Sequence, residues 1–199
     1  MEHRSIDPIL WDVAKYIVDN GDESFDYLQS AFGIDAERAD ILVDYLWTAG
    51  IVTMTTLGPR SNYFDEDDLW QRYSLIDFIY NKRTEIKSIS PDADILDKGR
   101  IIEAGAKIDG YDCYLCLCID ENELMCKLSV RPHVLPEEST VADESFISQL
   151  IKDELKVGAW EYEDPYALYR YFPIGDYECA FDWYKKVLNK FIELDETKK

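Results

Sequence analysis

The chain has 199 residues, of which 47% are hydrophobic and 14% aromatic, a composition typical of a folded globular protein and not of a disordered one. Its 41 acidic and 21 basic residues give a formal net charge of -20, which favours solubility or a basic protein partner and disfavours a polyanion. No stretch approaches the roughly 18 apolar residues of a membrane helix, and MEHRSIDP lacks the apolar stretch of a secretory signal, so we expect a cytoplasmic protein without a membrane partner.

Three helices are predicted at the start of the chain, because apolar residues recur there at helical spacing. Asp7-Pro8 places a proline at the first position of the first helix, and Asn20-Gly21 ends that helix. Ser24 is placed to cap a short second helix and Asp35 to cap the third. The third helix is predicted to turn one apolar stripe inward; the stripe consists of Ala39, Leu42, Val43 and Leu46.

A small hairpin, or wing, is predicted next, with strands at residues 51–55 and 62–64 joined by a turn at LGPR. The stretch LQSAFGIDAERADILVDYLWTAGIV, residues 28–52, the opening DPILWDVAKYIVDNG and Pro59-Arg60 together resemble the winged-helix gamma domain of the bacterial DNA translocase FtsK. The resemblance covers about residues 7–64 and implies a winged helix. The motor domain of that family has no counterpart here, since the chain lacks a Walker A loop.

The third helix is predicted to present Glu37, Ile41, Asp44 and Tyr45 on its outward face. An apolar pair between carboxylates suits a surface that binds a protein of unknown identity. Ile41 and Tyr45 would alternatively be covered by the second domain of the same chain. The sequence leaves both alternatives open.

DNA binding is the competing interpretation of the same helix. If it holds, we expect Arg38, Arg60 and Asn62 to make the contacts. A surface that follows the phosphates commonly uses roughly 6–10 Lys or Arg contacts, and this region has too few on one face, so we do not expect DNA as a partner. A third interpretation is an acidic mimic of DNA that occupies the nucleic-acid site of another protein.

The charged junction FDEDDLWQRY, residues 64–73, is predicted to separate two domains at 1–68 and 69–199. From about residue 74 the pattern predicts the order α-β-β-β-α-β-β-α. Its strands are RIIEAGAKI, YDCYLCLCI, LMCKLSV and the two halves of GAWEYEDPYALYRYF; DESFISQLIKDEL and DYECAFDWYKKVLNKFIEL are its later helices. The predicted fold class of the whole chain is therefore α+β.

This order of elements resembles the fold shared by type III secretion chaperones and the YbjN family. The resemblance covers about residues 74–199 and rests on the order and length of the elements. It implies a non-enzymatic, acidic protein that binds another protein and is often a homodimer, here through the C-terminal domain.

Five cysteines, an odd number, do not predict a disulfide framework, and we expect free thiols. The spacing of Cys113, Cys116, Cys118 and Cys126 invites a zinc site. A two-residue turn at Glu121-Asn122 would instead set Cys113 and Cys126 on one face of a hairpin and Cys116 and Cys118 on the other, so we expect no metal.

Catalytic arrangements are few, because the only histidines are His3 and His133. Aromatic residues Trp160, Tyr169 and Tyr171 mark the last hairpin, and they fit either a core beneath helices or a partner surface. We therefore expect a non-enzymatic adaptor or regulatory protein that needs no cofactor.

Overall fold

The structure is a computed structural model that describes residues 6–21, 25–55, 58–62, 65–108, 110–131, 155, 160–164 and 167–198. The fold class is α+β, as predicted. The chain divides into two compact units. Unit 1 consists of Met1–Arg83 and Ile95–Ile101, and unit 2 of Thr84–Asp94 and Ile102–Lys199.

Unit 1 begins with three helices: α1 at Leu10–Asn20, α2 at Phe25–Phe32 and α3 at Ala36–Thr48. Gly21 ends α1 at a φ of 84°, a left-handed conformation that glycine adopts without strain, and its N–H donates to the Ile17 carbonyl. Asp35 caps α3, since its Oδ1 accepts a hydrogen bond from the N–H of Arg38 at 2.8 Å. The predicted cap of α2, Ser24, lies outside the described residues.

The apolar stripes of α1 and α3 are buried, which confirms the predicted inward face of α3. Each buried Leu, Val or Ile contributes roughly 1.5–3 kcal/mol relative to an exposed one. The buried residues are Leu10, Val13, Ala14 and Ile17 of α1, and Ala39, Leu42, Val43 and Leu46 of α3.

A two-stranded hairpin follows, formed by β1 at Val52–Thr55 and β2 at Gly58–Ser61. A turn was predicted at LGPR because Gly-Pro is typical of turns; this was wrong, since residues 58–60 belong to β2. Of the predicted strand at 62–64, residues 63 and 64 lie outside the described residues. Pro59 pairs with Met54 inside β2. Both strands of a two-stranded sheet are edge strands, so a residue without an N–H is tolerated there.

Helix α4 runs without interruption from Glu66 to Ile89. Asp65 accepts a hydrogen bond from the N–H of Asp68 at 2.9 Å, and the acidic first turn is favourable at the positive end of the helix dipole. The charged junction is therefore mainly a helix start. The predicted boundary at 68/69 falls inside α4, and the two units divide in the same helix between Arg83 and Thr84.

Within the described residues the larger sheet has six strands in the order β3-β4-β5-β6-β8-β7. Neighbouring strands from β4 to β7 are antiparallel. Their bounds are β3 Asp94–Asp97, β4 Arg100–Ile108, β5 Tyr111–Asp120, β6 Glu123–Arg131, β7 Tyr162–Asp164 and β8 Ala167–Pro173. Strand β3 was not predicted, because four residues with two apolar side chains give too short an alternation.

The predicted register of β5 and β6 is confirmed, with Leu117 opposite Cys126 and Leu115 opposite Leu128. Cys113 and Cys126 are accordingly buried in the core face of the sheet, and Cys116 and Cys118 are half-buried on the other face. Burial raises the pKa of the Cys113 thiol to about 12. All five cysteines are free thiols, and in the described part of the chain no three His, Cys, Asp or Glu side chains are grouped as metal ligands.

The last long helix, α5 at Tyr177–Glu193, follows a single 3-10 turn at Ile174–Asp176. Its Tyr184 is fully buried, and the hydroxyl donates to the Leu115 carbonyl of β5 at 3.1 Å. The apolar positions of α5 therefore complete the core of unit 2. The predicted helix DESFISQLIKDEL and the loop before it lie outside the described residues, except for the buried Leu155. Among the helices of the described chain, none has the length and apolarity needed to cross a membrane.

Candidate protein-interaction surface

The outward face of α3 carries exposed carboxylates around an exposed aliphatic side chain. Glu37 and Asp40 are exposed, and Ile41 retains 46% of its accessible surface. A single exposed aliphatic residue is common on protein surfaces, so its neighbours decide what this face can bind. Two predicted members of the same face, Asp44 and Tyr45, are placed differently.

Asp44 binds the turn that joins β3 to β4. Its two carboxylate oxygens lie 3.2 and 3.3 Å from the N–H of Lys98, and Thr48 accepts from the N–H of Gly99 at 3.2 Å. Burial is the main cause that raises the pKa of Asp44, and the hydrogen bond from Lys98 partly opposes it. Asp44 therefore holds residues 95–101 in unit 1.

Tyr45 lies against Tyr80 of α4, with ring centroids 6.5 Å apart at an interplanar angle of 70°. The guanidinium of Arg83 lies over the Tyr80 ring, 3.9 Å from the ring centroid. Tyr45 is half-buried, and this burial raises its pKa. Its cover thus comes from unit 1 itself, which leaves Ile41 as the exposed apolar member of the predicted surface.

Arg38, the one cation of α3, forms an ion pair with Asp7. Its Nε and Nη2 lie 2.7 and 2.8 Å from the two carboxylate oxygens, a bidentate pair. Asp7 also accepts from the N–H of Ile9 at 3.1 Å, ahead of α1. The hydrogen bond from Arg38 is the largest cause that lowers the pKa of Asp7. The pair therefore joins the entry to α1 with the start of α3.

The other two predicted DNA contacts lie in the hairpin. Asn62 donates from Nδ2 to the Gly50 carbonyl at 2.8 Å, and its Oδ1 accepts from Thr53 at 3.0 Å. These bonds hold the residues that follow α3 next to the hairpin, so the Asn62 amide stabilises the fold. Arg60 pairs with Thr53 in the strand register, and its side chain lies outside what the structure describes.

Three aromatic side chains that the sequence interpretation did not single out meet on the surface of unit 1. Trp11 of α1 lies 5.2 Å from Trp70 and 5.2 Å from Tyr73, and these two rings of α4 stack at 5.6 Å. Trp70 remains 54% exposed. We call Trp11, Trp70 and Tyr73 the aromatic cluster. Trp11 and Trp70 lie in two different helices, and no motif in the sequence indicates that they meet.

The aromatic hairpin of unit 2 is divided between two faces. Trp160 contacts Trp183 of α5 at 4.9 Å, and Phe172 lies 5.9 Å from the same ring. Tyr169 and Tyr171 are separated by one residue in β8 and therefore lie on one face of that strand, opposite to Phe172. The core interpretation therefore holds for Trp160. The side chains of Tyr162 and Tyr166 lie outside the described residues.

A cavity of about 670 Å³ in unit 2 is lined mainly by carboxylates and is open to solvent. Its negative lining would repel phosphate or carboxylate substrates. The lining residues are Asp120, Glu121, Asn122, Glu123, Glu161 and Tyr171.

Comparison of the chain with protein families, with curated proteins and with solved structures finds no match.

Proposed function

We propose that the protein is a non-enzymatic adaptor or regulator that binds another protein through the exposed face of α3, in the cytoplasm and without a cofactor. One observation carries the proposal: Ile41 is exposed on a helix that also exposes Glu37 and Asp40, while the only cation of the helix is bound to Asp7. A partner would cover the aliphatic side chain and pair with the surrounding carboxylates.

The absence of a catalytic role is part of the proposal and rests on the composition. A chain with His3 and His133 as its only histidines has few groups that exchange protons near neutral pH. The carboxylates around the cavity of unit 2 are exposed to solvent, so the cavity does not exclude water from them as a closed active site would.

The experiment that tests this function is capture of a partner from the native host with three forms of the chain. Ile41→Glu places a charge in the proposed interface, and Met54→Glu makes the same kind of change at an exposed aliphatic residue of β1. We expect a partner that is retained by the wild type and by Met54→Glu and is lost with Ile41→Glu. Equal retention by both variants would contradict the α3 surface.

DNA binding is the alternative that the same proteins can test. A mobility-shift titration at low salt, with duplexes that include translocase-orienting sequences, should show no complex. Sequence-selective binding that Arg38→Ala abolishes would replace the adaptor proposal by a DNA-binding regulator. A captured partner that is itself a basic DNA-binding protein, released from this chain by DNA, would favour the acidic mimic.

A homodimer through the C-terminal domain belongs to the same proposal and is supported by the resemblance to secretion chaperones. Static light scattering over a range of protein concentrations measures it directly. A monomer at the highest concentration would remove the dimer from the proposal and leave the α3 surface unaffected.

A further inference from the structure

The aromatic cluster has the side-chain chemistry of a binding hot spot. Tryptophan and tyrosine are enriched among the residues that dominate binding energy at protein interfaces. Here two indoles and a phenol are in contact, and Trp70 leaves more than half of its surface, 54%, open to solvent. A partner that covered this ring would bury a large apolar surface against an already ordered support.

The surroundings of the aromatic cluster are negative. Residues 10–20 and 66–77, which carry its three rings, contain two cations, Lys15 and Arg72, against six acidic residues. Asp12 and Asp77 both act on the Tyr73 hydroxyl, whose pKa is raised chiefly by burial and further by these two carboxylates. Arg72 does not present its cation at the surface, because it is 2% exposed and donates to the Ala49 carbonyl.

Lys15 demonstrates how an ammonium group is held at this place. Its Nζ lies 5.9 Å from the centroid of the Trp11 ring and 3.1 Å from a carboxylate oxygen of Glu66. The charge thus has an aromatic face on one side and a carboxylate on the other, the arrangement in which a cation–π contact is favourable. Trp70 stacks on Tyr73, on whose hydroxyl Asp12 and Asp77 act, so an exposed aromatic face and carboxylates also occur together there.

We propose that the aromatic cluster, with the carboxylates around it, is a docking site for a basic segment of a partner protein, one that lays an Arg or Lys side chain over Trp70. The negative surroundings exclude a polyanion, and they disfavour a second copy of this acidic chain. The aromatic cluster shares no residue with the α3 surface, so each of the two proposals can fail without the other.

The test follows the five indole N–H signals of the ¹⁵N-labelled protein, one for each tryptophan, during titration with an eight-residue peptide of alternating Arg and Gly. We expect the Trp70 and Trp11 signals to shift with saturation below about 1 mM peptide, and the same peptide with Glu in place of Arg to shift neither. Absence of any shift at that concentration would overturn the proposal.

Variants of constant net charge separate docking at the aromatic cluster from general attraction to an acidic chain. Trp70→Ala should weaken binding of the Arg peptide about tenfold, and Trp70→Phe, which keeps a ring, by less. Tyr27→Ala, at an aromatic residue of α2 that is 65% exposed, should leave affinity unchanged. Equal affinities of Trp70→Ala and the wild type would overturn the proposal, as would a Trp70 signal that shifts with protein concentration alone, because a second copy would then be the occupant.

Discussion

The charge on the outward face of α3 is set by single residues and their partners. Its sequence places one arginine and several carboxylates near the outward face, and the arginine is bound through two hydrogen bonds to Asp7, 31 residues earlier. The pair is partly exposed, so solvent weakens its attraction. The pair leaves α3 without an unpaired cation, which is unfavourable for the alternative of DNA binding.

The Arg38–Asp7 pair predicts a pH dependence of stability. The pKa of Asp7 in the folded protein lies below its ordinary value of 3.8, mainly because Arg38 binds the charged form. Its contribution is therefore complete above about pH 3.8 and is lost as the pH falls through the lower, folded pKa. We expect Asp7→Asn to lower the urea midpoint at neutral pH and to lower it less in stronger acid. If the urea midpoints of Asp7→Asn and the wild type differed by the same amount at every pH, the carboxylate charge would not contribute to stability.

Asp44 supplies a control of opposite sign, because burial raises its pKa above 3.8. The charged form of Asp44 is disfavoured in the folded protein. It therefore lowers the free energy of unfolding at pH values above the folded pKa, and this destabilisation disappears as the pH falls below 3.8. Asp44→Asn keeps an acceptor for the N–H of Lys98. We expect it to match or exceed the wild type in urea midpoint at neutral pH and to lose any advantage in acid.

At the scale of elements, the alternation of apolar residues was sufficient to predict β4, β5, β6 and the pairing of β5 with β6. A one-residue slip would have exposed the whole core face, and the turn at residues 121–122 has the two-residue length that fixes the register. The helices of unit 1 were predictable for a similar reason. Strands with few apolar residues could not be predicted in this way. Strand β3 is too short to show a period, and β2 contains a proline.

The core under β5 gives a prediction for α5. Tyr184→Phe removes a fully buried hydroxyl that donates to the Leu115 carbonyl. We expect unfolding free energy to fall by about 1 kcal/mol, the usual net value of such a bond. Tyr171→Phe is the matched control, because its hydroxyl contacts Asp120 near the surface at 3.4 Å. Similar losses for both variants, measured by urea unfolding, would argue against a special role of the buried bond.

The turn between β3 and β4 gives another prediction. Gly99 has a φ of 77°, and a Cβ added there would lie 3.5 Å from the Trp47 ring. We expect Gly99→Ala to lower the unfolding free energy by about 1–2 kcal/mol, the cost of the left-handed conformation for an L-residue. Gly105→Ala, in the extended strand β4, should change stability little, since its Cβ would make only ordinary contacts. A harmless Gly99→Ala would contradict the strain argument.

At the scale of the whole molecule, the position of the domain boundary was the hardest feature to read from the sequence. Charged stretches often mark linkers, but the charges at 65–68 begin a long helix. The aromatic cluster was hidden for a related reason: its members are distant in sequence, and only the packing of α1 on α4 brings them together. In contrast, exposure of Glu37 and Ile41 followed from helical periodicity alone.

Truncation tests the extent of unit 1. A chain that ends at residue 68 lacks the buried Arg72, Leu75, Ile76 and Ile79 of α4 as well as residues 95–101. We expect fragment 1–68 to lose cooperative thermal unfolding and fragment 1–104 to retain it, as measured by circular dichroism at 222 nm. Cooperative unfolding of the shorter fragment would show that the three helices and the hairpin are sufficient.

The division of unit 1 into two segments of chain has a consequence for synthesis on the ribosome. Domains built from one uninterrupted segment can begin to fold as soon as that segment has emerged. Here the residues that bind Asp44 and Thr48 come more than fifty positions later, at Lys98 and Gly99. The nascent N-terminal unit therefore completes its contacts only after translation has passed residue 101, and by then residues 84–94 of unit 2 have already been made.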